Sequence, residues 1–100
     1  MFKNGMRPIH PGEILREEYM VPLNLSSNAL AHALGVTAAR INEIVREKRG
    51  ITAETALRLA QYFDSSPQFW LNLQSSYELR KAELESGENI RSLIRPLCAG

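Results

Sequence analysis

Ser27-Asn28-Ala29-Leu30-Ala31-His32-Ala33-Leu34-Gly35-Val36-Thr37-Ala38-Ala39-Arg40-Ile41-Asn42-Glu43-Ile44-Val45-Arg46 is the stretch on which the fold turns. Leu30 and Leu34 stand four apart on one predicted helix. Ile41 pairs with Ile44 and Val45 on a second. Two such stripes face each other across a shared core. Ala31 falls where the first helix passes closest to the second, so a larger side chain would push them apart. Gly35 follows the last apolar residue of the first helix, where the chain most readily turns left-handed. Thr37 then offers a hydroxyl to cap the second helix. Two helices joined by a tight glycine turn make a helix-turn-helix over 27–46, the unit that lays its second helix in the DNA major groove.

The surrounding chain reads as more helix. Residues 1–10 hold Gly5 and Pro8 without periodicity and are expected to be an extended arm. Pro11 suits a first helical position. Ile14, Leu15 and Tyr19 line one face of a helix that ends before Pro22, and Asn24 lies in the connecting loop. Ser26 is the expected N-cap of the next helix. The recognition helix runs from about Ala38 to Glu47 and stops at Lys48-Arg49-Gly50. Thr52 caps a fourth helix carrying Ala56, Leu59, Ala60 and Phe63 at helical spacing. Asp64 to Ser66 is a turn. Ser66-Pro67 opens a fifth helix with Phe69, Leu73, Tyr77 and Leu84 on one stripe, expected to end at Ser86-Gly87. Ile90, Leu93, Ile94 and Leu97 form an amphipathic piece in the tail, interrupted by Pro96. No strand alternation, repeat or low-complexity run occurs. The expected fold is all-α: a five-helix domain over 11–87 with a short C-terminal tail over 88–100.

Composition narrows the function. The chain has 100 residues, one domain's worth, with 44% hydrophobic content. Cys98 has no partner for an internal disulfide, which fits a reducing cytoplasm. No apolar run reaches membrane-spanning length and no signal peptide is visible. The net charge of +1 is low for a DNA binder. Basic residues are nevertheless concentrated between positions 37 and 58. Arg40, Arg46, Lys48, Arg49 and Arg58 stand there against Glu43, Glu47 and Glu54. A homodimer doubles that local excess.

The reading surface follows from the motif. Residues at the start of a recognition helix point at base edges. Here these are Thr37, Ala38, Ala39 and Arg40, with Glu43 one turn further in. Arginine can bind guanine in bidentate fashion, alanine methyls can touch a thymine methyl, and glutamate can accept from a cytosine amino group. Ser26, Ser27 and Asn28 sit at a helix N-terminus that favours phosphate. Arg46, Lys48 and Arg49 follow the recognition helix and are expected on the DNA backbone. Ser26 and Thr37 also serve as caps. Phe69, Trp70, Leu73 and Tyr77 are expected core residues that also form a dimer surface, since Trp70, Leu71 and Leu79 lie outside the main stripe. His10 and Glu13 lack a further His or Cys nearby, so no metal site is expected. No nucleophile triad or glycine-rich phosphate loop is present, so neither catalysis nor a cofactor is expected.

Several blocks carry a family likeness. Arg7-Pro8-Ile9-His10-Pro11-Gly12-Glu13-Ile14-Leu15, Ala31 through Val36, Gly50-Ile51-Thr52, Ala56-Leu57-Arg58-Leu59-Ala60, and Ser66-Pro67-Gln68-Phe69-Trp70-Leu71-Asn72-Leu73-Gln74 resemble HigA-type antitoxins of the phage-repressor-like helix-turn-helix class. The resemblance spans about residues 7–80. It implies an antitoxin that neutralises a HigB-type mRNA-cleaving ribonuclease toxin and, as a dimer, binds operator DNA to repress its own operon. Within the class, positions matching Ala38, Ala39 and Glu43 commonly read bases. Those matching Ser26, Ser27, Thr37, Arg40 and Arg46 commonly touch phosphate or bases. This chain departs in placing two alanines at reading positions, which favours methyl contacts or shape readout. A free-standing repressor without a toxin, and a helix-turn-helix used only to bind protein, remain the alternatives.

Overall fold

The computed structural model describes residues 7–98, and every regular element among them is helical. Helix α1 (Pro11–Ile14) continues as a π-helical stretch, Leu15–Met20, in which the Val21 amide reaches back to the Arg16 carbonyl. Then come α2 (Ser27–Leu34), α3 (Ala38–Val45), α4 (Ala53–Phe63) and α5 (Pro67–Ala82). Helix α5 runs on through a π-helical turn, Glu83–Gly87, into a final helical segment, Glu88–Leu93. No described helix is long and apolar enough to cross a membrane.

Local chemistry sets most boundaries. Ser26, Thr37, Thr52 and Ser66 each accept a backbone N–H from the first turn of the following helix, which satisfies donors the helix leaves unpaired. Gly35 has φ 72° and ψ 34°, left-handed as expected, and closes α2. Val36 N–H reaches the Ala31 carbonyl across it. His10 caps α1 by accepting Gly12 N–H on Nδ1 at 2.8 Å. Gly12 is required by crowding, because a Cβ there would overlap the Ile44 carbonyl. That close approach seats α1 on the end of α3.

Leu15, Leu30, Ile41, Ile44, Leu59 and Trp70 are fully buried in one core, with Ala31 and Ala56 where helices approach. Each large side chain contributes about 1.5–3 kcal/mol by leaving water. Tyr19, Phe63 and Phe69 pack around the Trp70 ring, and the indole N–H donates to Ser65 Oγ.

Two expectations need correction. Gly87 does not end the fifth helix: its φ of −57° is helical and the chain turns extended only at Ile94. The Glu83 carboxylate lies over Gly87 while bonded to Arg91 at 2.6 and 3.0 Å, so an ion pair between the turns on either side bridges the position. Leu84, placed on the inward stripe, is 58% exposed, because the helix has by then left the body it packs on.

Candidate DNA-reading face

The helix-turn-helix is built by α2 and α3, packed through Leu30, Ala31, Leu34, Ile41 and Ile44. Two arginines brace it. Arg58 of α4 donates to the Leu34 carbonyl at 2.7 Å, filling the open end of α2. Arg16 donates to the Val45 carbonyl and so holds the end of α3. Carbonyls at a helix C-terminus carry partial negative charge, so a guanidinium is favoured at both places. Neither arginine was assigned this role from sequence, because each partner is far away along the chain.

The sequence-assigned residues lie along the starts of α2 and α3 and the loop after α3. Ser26 Oγ accepts Ala29 N–H at 3.0 Å and Thr37 Oγ1 accepts Arg40 N–H at 3.1 Å, so both hydroxyls cap. Ser26, Asn28, Thr37, Ala39, Arg46, Lys48 and Arg49 are exposed, and Ser27 is half-buried. The alanines divide: Ala39 is exposed, whereas Ala38 packs against the core and offers less of its methyl.

Part of the charge on this face is paired. Arg40 lies 3.3 Å from Glu54 of α4, and Glu54 also lies 3.7 Å from Arg58. Arg49 lies 2.7 Å from Glu43. Exposed pairs of this kind contribute roughly 0–1 kcal/mol, so each is cheaply exchanged for a phosphate or base. The net charge of +1 itself reflects 12 basic against 11 acidic residues over the whole chain. Glu54 was counted from sequence as a local charge but not paired with Arg40, although its place one turn before Arg58 was visible.

The proposed dimer residues divide. Trp70 is completely buried and Leu73 is 7% exposed, so both belong to the core of one chain and present no surface. Phe69 is 38% exposed and Tyr77 half-buried. The larger apolar exposure lies further along, at Leu79, Leu84, Ile90 and Leu93.

His10 serves the backbone: its ring is 3% exposed and meets Tyr77 edge-on at 4.8 Å. Burial pushes its pKa below the ordinary histidine value, with Lys81 adding and Glu47 opposing. Hydrogen bonds from Arg7 hold the Glu13 carboxyl below the usual range.

Known proteins share this arrangement. The helix-turn-helix family model matches residues 15–70. The fold superposes on Pseudomonas aeruginosa antitoxin HigA, solved with the higBA promoter, at a TM-score of 0.89 and 54% identity, covering 92% of this chain and 100% of that one. Virulence-associated protein I of Dichelobacter nodosus is 64% identical over 81 residues, 81% of this chain and 75% of the relative. Antitoxin HigA-1 of Vibrio cholerae is 35% identical over 79 residues, 79% of this chain and 74% of the relative. The family is one of DNA-binding helix-turn-helix proteins and not of enzymes. With an exposed recognition helix, its capped turn and these likenesses together, the chain belongs to the HigA-type antitoxin family of helix-turn-helix proteins.

Proposed function

We propose that this protein is the antitoxin of a type II toxin–antitoxin module. As a homodimer it binds operator DNA and represses its own operon, and it neutralises a HigB-type mRNA-cleaving toxin. The observation that carries the reading is the match, across nearly the whole chain, to an antitoxin solved with its promoter. The exposed start of α3 supports it.

In this reading α3 enters the major groove. Arg40 leaves Glu54 for a base edge, and Ala39 touches a thymine methyl. Thr37 and the start of α2 at Ser26, Ser27 and Asn28 meet phosphates. Arg46, Lys48 and Arg49 continue along the backbone and release counterions. Glu43 orients Arg49 or accepts from a cytosine. Two copies place two recognition helices about 34–36 Å apart, one helical turn of DNA. The second copy covers the exposed apolar side of α5 and its continuation, with Phe69 and Tyr77 at the near edge.

Co-expression with the small open reading frame beside the gene tests the module. That product alone stops growth, and this protein restores growth and co-purifies with it. A harmless neighbour and no co-purification would leave a free-standing repressor.

A further inference from the structure

Two motif blocks that the reading surface does not use meet in space. Gln74 ends the Phe69–Gln74 block of α5, and Gly50-Ile51-Thr52 precedes α4. The Gln74 side-chain oxygen accepts Ile51 N–H at 2.7 Å in a half-buried bond. Its nitrogen donates to Glu78 at 2.6 Å, which fixes the amide's orientation. Gly50 makes room for this contact, since a Cβ there would lie 2.8 Å from both the amide oxygen and nitrogen.

The bond ties down the far end of a short loop. Its near end is the close of α3, where Arg16 holds the Val45 carbonyl. Between the two ties lie Lys48 and Arg49, on a backbone where Glu47 has φ 64°. A side-chain-bearing residue keeps that left-handed conformation when its surroundings impose it. Ile51, just beyond, is 3% exposed and anchors the loop in the core. A loop ordered before binding does not charge its ordering entropy to the complex.

We infer that Gln74 is a positioning residue for DNA binding. It clamps the loop after the recognition helix onto α5, so that Lys48 and Arg49 are held where phosphates arrive. The inference rests on the DNA-binding reading above. It gives one side chain of α5 control over a surface that α5 does not itself form.

The test is fluorescence anisotropy over a salt series. The probes are the duplex immediately upstream of the first gene of the operon and a scrambled duplex of equal length. Wild type is measured first; no preference for the upstream duplex overturns the DNA-binding reading, and this inference with it. Given that preference, Gln74→Met removes both hydrogen-bonding groups at similar length. Affinity is expected to fall about five- to twenty-fold, and the log–log salt slope to become shallower by about 1–2 as phosphate contacts are lost. Hydrogen exchange at the Ile51 amide speeds up. The paired exchange Gln74→Glu with Glu78→Gln keeps the acceptor, the donor and the net charge, and restores affinity and slope. Wild-type affinity and slope in Gln74→Met overturn the inference. So does a lower melting temperature with an unchanged slope, the mark of a purely structural role. If Gln74→Met does not fold, the exchange variant decides: a wild-type slope supports the clamp, and a shallow slope in a folded protein overturns it.

Discussion

The helices up to Leu73 and the long C-terminal helix beyond it both carry large apolar residues, yet they end differently. The first part closes on itself: Leu15, Leu30, Ile41, Ile44, Leu59 and Trp70 are fully buried. The second projects, giving the molecule extents of 55 × 23 × 21 Å. It leaves Leu79 72%, Leu84 58% and Leu93 72% exposed. The difference separates two uses of apolar residues. Those that hold one chain together are covered within it. Those left exposed on the projecting helix are the ones that we propose a second copy covers.

Substitutions on the two sides should behave oppositely, and the largest effect belongs to the closed half. Trp70→Ala is expected to cost about 3–5 kcal/mol of unfolding free energy, read by chemical denaturation at low protein concentration. A cost below about 1 kcal/mol would mean that the core does not depend on this ring. Leu93→Lys should do the reverse. Single-chain stability stays within about 0.5 kcal/mol, while dimer dissociation, followed by sedimentation, is favoured by roughly 1.5–3 kcal/mol per copy. An unchanged dimer would place the second copy elsewhere.

On the reading face, Arg40→Ala is expected to weaken operator binding by about 1–3 kcal/mol. Binding equal to wild type would remove Arg40 from the contacts and leave it as the partner of Glu54.

The smallest effect is at the seam between the two regions, where His10 of the arm meets Tyr77 of α5. Its pKa is lowered by burial, and Nδ1 is already occupied as an acceptor. The folded state therefore favours neutral imidazole. That contribution is whole above the unfolded histidine's pKa, near 6.5, and is lost as pH falls through that value toward the depressed folded one. Stability should drop over the interval below about pH 6.5, by an amount on the order of one N-cap, about 1 kcal/mol. In His10→Asn, which keeps a capping acceptor without the titration, the drop over that interval should shrink. An identical pH profile in both proteins would assign it to other groups.

Most of the closed half was legible because its determinants are local. Ser26, Thr37, Thr52 and Ser66 cap helices whose first turns lie within three residues of them. Gly35 needed no partner to take its left-handed turn. The open half was misread at Gly87, where glycine's usual stop signal was overridden within one turn on either side. Gly87 looked like a stop until Glu83 and Arg91 closed over it. In the closed half, Trp70 was expected in the core and at a dimer surface; the aromatic cluster of Tyr19, Phe63 and Phe69 encloses it and leaves only the core role. The recognition helix also proved shorter than expected, stopping at Val45, because Glu47 turns left-handed.

Helix spacing, caps and the glycine turn belong to the amino-acid sequence alone, since each depends on residues within a turn or two. With them came the helix-turn-helix and the face it would turn to DNA. Which arginines brace the motif, which glutamate holds Arg40, and how Gln74 reaches Ile51 belong to the tertiary structure. Those contacts join residues 14 to 29 positions apart. Only packing brings such groups within hydrogen-bonding distance, and no local pattern records the approach.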